Sequence, residues 1–410
     1  MRLAGAALLF LVALAWIPVR PDLLRVDRLD FDIAVYYPAR AFLDGLDPYD
    51  QSAYRAAYPV QAPLPPFLPA TLPLHLPFGL LPPGPSAALY LGVTLVLILA
   101  TGWLALGFIE GKRPPLAAII LVAALIMLSR PGRLVLRLGQ LSFEPVVGTY
   151  IALRYALLAP WLGGLGVAVA LIKPTFGVPL AALMVGRRHW RAVAIGLAIT
   201  AAVNLPLVVV LAHRDGGISA LAGHFSDTWE ASRLGIVETT NPRMTSLRAD
   251  VASLIGRIRG HPLHAGAQSL VGLVVLAIAL WTLRRTKLGD VSSSGSGGAI
   301  LAGFICLAIL SSGYHQTYDL VLLALPALVL LRDPVATVVL SRSSRLILLG
   351  LLAIIAGDYA ASEGALARLG METGTPGWHI LTSINAVALL LAFGIYAVAI
   401  LNGRRTGASD

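Results

Sequence analysis

Apolar stretches recur from one end of this chain to the other, and that recurrence limits its fold more than any motif does. Twelve stand out: 3–19, 85–109, 116–129, 141–158, 160–172, 175–186, 191–212, 266–283, 298–312, 319–331, 344–357 and 380–402. Several are shorter than the ~20 residues that cross a bilayer as one helix. Only 13% of the residues are charged, against roughly 25% in soluble domains. The chain therefore reads as an all-α polytopic membrane protein. About 12 transmembrane helices are expected to form a single domain over 1–410, with the bilayer supplying most of the burial. Lys173-Pro174 puts a charge and a helix breaker at one point, so 160–172 and 175–186 are read as separate helices, with a break within one longer helix as the alternative. "VSSSGSGG" (291–298) reads as flexible linker within a cytoplasmic 284–298 segment. The N-terminal run has Arg2, then apolar residues up to "IPVR" without a small-x-small cleavage site, and is read as a retained span. Cys306, alone in the chain, lies in an apolar run, can form no disulfide within the chain and is given no role.

Charge orients the helices. With the N-terminus inside, the cytoplasmic segments hold Arg2, Lys112, Arg113, Arg187, Arg188, Arg191, Arg284, Arg285, Lys287, Arg332, Arg342, Arg345, Arg404 and Arg405. Those 14 cations face four acids, Glu110, Asp290, Asp333 and Asp410, while the rest of the chain carries 17 of each sign. The whole excess of +10 thus sits on one side, as the positive-inside rule requires. The pI near 10.0 reports orientation. It is no sign of nucleic-acid binding, because no basic stripe with interleaved aromatics appears. Segments 20–84, 130–140, 213–265, 313–318 and 358–379, with Lys173-Pro174, then face outward and contain nearly every polar cluster.

The most acidic of these is "LDFDIAVYYPARAFLDGLDPYD" (29–50), with five aspartates. After Asp32, the spacing of Val35, Ala39, Phe42 and Leu46 predicts a juxtamembrane helix stopped at Gly45, with Asp32, Tyr36 and Arg40 on its other face. Asp32 either caps that helix or is a surface carboxylate able to take a proton from an incoming hydroxyl. Asp44, Asp47 and Asp50 flank Gly45 and Pro48, where turn-forming aspartates are ordinary. Ten prolines between 59 and 85 alternate with Leu and Phe, so this stretch is expected to lie folded along the membrane surface.

"DFDIAVYYPARAFLDGLDPYD", followed by "YPVQAPLPPFLPATLPLHLPFGLLP", resembles the N-terminal pattern of glycosyltransferase family 87, polyprenol-phosphate-mannose-dependent mannosyltransferases of the GT-C fold. "LGQLSFEPVVGTYIALRYALLAPWLGGLGVAVALIKPTFGVPLAALMVGRRHWRA" (138–192) is similar to the family's Gly-Gln, Lys-Pro and basic-loop block, and "SSGYHQTYDLVLLALP" (311–326) to its late exoplasmic segment. Ser142 departs from the Asn expected after the Gly-Gln pair. The resemblance implies inverting transfer of a sugar, mannose by default, from a polyprenyl-phosphate donor to a lipid or glycan acceptor outside the cell membrane, with 20–84 as the catalytic loop. Inversion needs one base and a stabilised leaving phosphate. Asp32 is the matched base and Asp30 the fallback. Lys173 and His315, with Arg130, Arg133 and Arg137 behind them, are the implied phosphate partners. Tyr36, Arg40, Gln140, Glu144 and Gln316 are candidate substrate contacts. The 213–265 loop resembles nothing assignable.

Other readings stay open. Lys173 can instead snorkel to the interface, and His315, Gln316 and Asp319 can form a plain polar turn. No cofactor is expected. Metal binding is not expected either: no H-E-x-x-H spacing occurs, and His75, His213, His224, His261 and His264 read as isolated loop residues. The absence of P-loop and dinucleotide fingerprints disfavours a cytoplasmic nucleotide-sugar enzyme. A transporter or flippase of lipid-linked sugars is the rival from another class, and a non-catalytic membrane assembly subunit is the third reading. A transporter should carry mid-span charges and matching halves, which this sequence lacks.

Overall fold

The structure is a computed structural model that describes residues 2–16, 29–60, 62–111, 113–286, 288 and 297–402. Residues 291–296 of the expected 291–298 linker, and the charges Lys112, Lys287, Asp290, Arg404, Arg405 and Asp410 expected on the cytoplasmic side, lie outside the described residues. So do 17–19 of the first apolar run and 20–28 of the expected catalytic loop. Among the described residues all regular structure is helical, with one isolated bridge between Arg248 and Gln316.

Five helices among the described residues are long and apolar enough to cross a membrane: Pro83–Glu110, Trp190–Arg214, Ala265–Arg285, Arg342–Ala361 and Pro376–Asn402. A sixth span arises if Leu116–Leu128 and Arg130–Leu138, bent by 77° at Ser129, are taken together. Shorter apolar helices fill the space between them, including Pro160–Leu171, Pro174–Gly186 and Gly298–Ser312. This is a multi-pass membrane protein. Its outer helices show why: Leu205, Val209, Leu270 and Leu273 are each more than 60% exposed, which is untenable over so wide an area in water.

The Gly298–Ser312 helix is the axis of the bundle, with every residue buried. It packs against Pro174–Gly186, Ala265–Arg285, Ala324–Arg332 and Pro376–Asn402. A helix apolar all round belongs in such a place. Close approach elsewhere depends on small residues: a Cβ on Gly148 would lie 2.7 Å from the Ala170 nitrogen, and one on Gly166 2.4 Å from that of Ala152. The 160–186 region is two helices, since Lys173 takes an extended conformation and Pro174 opens the second, where a missing N–H costs nothing.

Two stretches differ from expectation. The 319–331 run is not one helix. A 3₁₀ turn over Thr317–Leu323 comes first, because Gln316 and Asp319 cap each other reciprocally, and an α-helix begins only at Ala324. The expected juxtamembrane helix is already helical at Leu29, ahead of Asp32, and passes through a π-turn at Asp32–Tyr36 before continuing to Leu43. Asp32 therefore does not occupy the N-cap. It sits inside a widened turn of a continuous helix.

The breaks at 139–142, 173 and 313–316 lie at one end of the bundle, tied together and to the 29–79 and 213–265 segments by hydrogen bonds. At the other end Arg154 donates to the Gly111 carbonyl, Arg187 to the Leu283 carbonyl, and Arg332 pairs with Glu110 at 2.7 Å.

Candidate functional site

Asp319 is the hub of the polar end. Its Oδ1 accepts from Ser142 Oγ at 2.7 Å and Lys173 Nζ at 2.5 Å. Its Oδ2 accepts from the Gln316 backbone N–H at 3.2 Å and lies 3.2 Å from His315 Nδ1. Four donors satisfy this fully buried carboxylate, which would otherwise be too costly to bury as a charge. Lys173 does not snorkel. It is 5% exposed, with its ammonium also over the Tyr318 and Phe176 rings at 4.9 and 5.4 Å. His315 is wholly buried, edge-on to Phe176, with Nδ1 held by Asp319 and Nε2 without a hydrogen-bond partner.

Gln140 links the 29–50 segment to this hub. Its Nε2 donates to Asp30 Oδ2 at 3.2 Å, while its Oε1 accepts from the Leu141 N–H at 2.7 Å. The left-handed Gly139 (φ +65) makes the turn that aims Gln140 there, and a Cβ on it would strike Phe31 at 2.6 Å. Burial, only partly offset by the Lys173 charge, pushes the Asp30 carboxyl up to about 6. Because the folded value exceeds the ordinary one, ionised Asp30 destabilises the fold as pH rises from about 4 through about 6. Asp30→Asn should therefore raise Tm relative to the parent at pH 7 and change it little at pH 4, as read from thermal melts in detergent.

The remaining candidates are not all in this cluster. Asp32 lies on the π-turn within electrostatic reach of Tyr36, Tyr37 and Tyr54. Tyr36 donates to the Leu81 carbonyl, and Arg40 is paired with Asp44 at 2.9 Å on the exposed side, where Tyr58 also donates to Asp44. Arg40 is thus engaged away from the hub. Gln316 is buried beside Tyr314, to whose hydroxyl it is bonded. Glu144 is buried, 3.1 Å from His75 Nε2 and accepting from Tyr90 at 3.4 Å. His75 is consequently no loop histidine: it lies on the Thr71–Gly79 helix and is 1% exposed.

Arg130, Arg133 and Arg137 share one face of Arg130–Leu138 but meet different surroundings. Arg130 is 4% exposed; it donates to Asp358 Oδ2 and to the Ala361 carbonyl, both at 2.9 Å. Its guanidinium is thus engaged by the 358–361 turn. Arg133 stacks on Trp16 at 4.2 Å, and Arg137 is exposed one turn further on.

Sequence reasoning misses two parts of the site. Asp319 reads locally as part of a turn, because nothing nearby signals that its partners lie 146 and 177 residues away. The 213–265 loop carries no motif, yet its 247–249 backbone pairs with the His315 segment: Ala249 N–H donates to the His315 carbonyl and Thr317 N–H to that of Leu247. Arg248 secures the strap, bidentate to Asp250 at 2.8 and 2.9 Å and stacked on Tyr314 at 4.9 Å.

Gly-Gln, Lys-Pro and Tyr-His-Gln-Thr-Tyr-Asp thus meet in space. The model of glycosyltransferase family 87 matches residues 66–308, more than half of the chain. The chain belongs to glycosyltransferase family 87. This family 87 protein is a membrane glycosyltransferase, acting on a sugar donor and an acceptor. Gln140, Ser142, Glu144 and Lys173 fall inside the match, while Asp30, Asp32, His315 and Asp319 fall outside it. No curated protein and no solved structure matches this chain.

Proposed function

We propose that this chain is one GT-C-type domain that moves a sugar, by default mannose, from a polyprenyl phosphate to a lipid or glycan hydroxyl at the outer face of the cell membrane. The supporting observation is the convergence of Asp30, Gln140, Lys173, His315 and Asp319 at one end of the bundle. The basic loops are left at the other end. A lipid-borne donor keeps its chain in the bilayer and presents its phosphate at that level, so a polar cluster among helix breaks suits it.

In this reading Lys173 and His315 receive the donor phosphate. Asp319 holds His315 Nδ1 and stabilises its imidazolium form, whose Nε2–H donates to a phosphate oxygen. The acceptor oxygen bonds to the anomeric carbon as the carbon–oxygen bond to phosphate breaks, and the bonding pair leaves with the phosphate. Inversion places the attacking hydroxyl across the sugar from that phosphate. Asp30 is within electrostatic reach of Lys173, on the phosphate side. Asp32, two residues on and so on the opposite helical face, is the base that takes the hydroxyl proton. Purified protein should draw radiolabelled sugar from polyprenyl phosphate and none from a nucleotide-activated sugar. Use of the nucleotide donor alone would overturn the proposal.

A further inference from the structure

Away from this cluster, three side chains from separate segments converge where the first exoplasmic stretch meets the 213–232 region. Asp47 follows the Tyr37–Leu43 helix, Asp215 ends the Trp190–Arg214 helix, and His224 lies on Ile218–Ser232. Asp47 Oδ2 is 2.9 Å and Asp215 Oδ2 3.2 Å from the same atom, His224 Nδ1. One ring nitrogen carries at most one proton, so it can satisfy one carboxylate and not both. The other Asp47 oxygen is already used, accepting from the Tyr49 N–H at 2.9 Å. Asp215 Oδ2 is buried and has no hydrogen-bond partner, on a side chain only 7% exposed. All three potential ligand atoms lie within 4.8 Å of one another.

We propose that Asp47, Asp215 and His224 bind a divalent first-row transition ion, Zn²⁺ or Mn²⁺. Two carboxylates and one imidazole with open positions suit those ions, whereas Ca²⁺ takes six to eight oxygens. Asp50 is not a ligand: its Oδ2 lies 4.0 Å from the far ring nitrogen, and its side chain caps the Gln51–Ala57 helix. The ion acts as a structural tie. It reinforces a junction in which Tyr49 packs on Phe225 and Thr228 bonds to both Gln51 and the Tyr49 carbonyl. The sequence hid the site because His224 lies 177 residues from Asp47, too far for a short local motif to show.

The test uses full-length protein purified without a histidine tag, stripped with EDTA, then dialysed against Zn²⁺ or Mn²⁺ and desalted. Elemental analysis should find about one ion per chain, and Tm should rise by several degrees. Both effects should vanish in Asp215→Asn and in His224→Gln, and persist in Asp50→Asn. Neither retention nor a Tm rise in the parent would mean that the two carboxylates share a proton, and would overturn the site. Equal retention by parent and both variants would place the ion elsewhere and overturn it as well.

Discussion

Asp32→Asn is expected to fold, bind donor and turn over about two orders of magnitude or more below the parent, the usual worth of a general base. Asparagine keeps the shape and the π-turn but cannot accept the acceptor's proton. Asp32 lies inside the helix and not at its end, so its replacement carries no capping loss that would confuse the result. Asp30→Asn is expected to lose less, because Gln140 can donate to the Asn carbonyl as it does to Asp30. Donor binding by a fluorescent polyprenyl-phosphate analogue and initial rates separate the two. A dead Asp30→Asn beside a near-normal Asp32→Asn would give the base to Asp30. Two active variants would remove the catalytic role from this segment.

Lys173→Ala has the second large effect, on both stability and donor use. The ammonium is buried 2.5 Å from Asp319. Deleting it strands a buried carboxylate, at a cost of about 3–5 kcal/mol. Loss of activity in that variant alone would therefore be ambiguous. Lys173→Met with Asp319→Asn removes both charges and should recover most of the melting temperature, since apolar or neutral replacements of a buried pair are often tolerated. Donor use should stay low in the double variant. If it returned with the fold, Lys173 would be structural only.

The class of this protein was legible because bilayer burial needs long apolar runs, and these are read directly from the sequence. The Lys173-Pro174 break was legible for a local reason, as proline cannot continue a helix through its own N–H. The site was legible only as separate blocks. Gln140, Lys173 and His315 stand out in the sequence, but Asp319, which joins the last two, reads as part of a turn. Its role depends on contacts across 146 residues that no window of sequence contains. Arg130 shows the same limit from the other side: a cation beside an expected phosphate site is chemically reasonable, and its partner Asp358, 228 residues away, was not legible. His75 and Glu144 become a pair for the same reason: each looks solitary until the Thr71–Gly79 and Phe143–Tyr155 helices bring them within 3.1 Å.

Bond cleavage in the donor is the most direct test of the account. Purified protein in liposomes would receive polyprenyl-phosphate mannose labelled at the anomeric carbon, together with membrane lipid acceptors, and NMR would follow that carbon. The account predicts release from phosphate and a new glycosidic bond of the opposite anomeric configuration. Donor that crosses the bilayer with its sugar–phosphate bond intact would instead identify a transporter and contradict it.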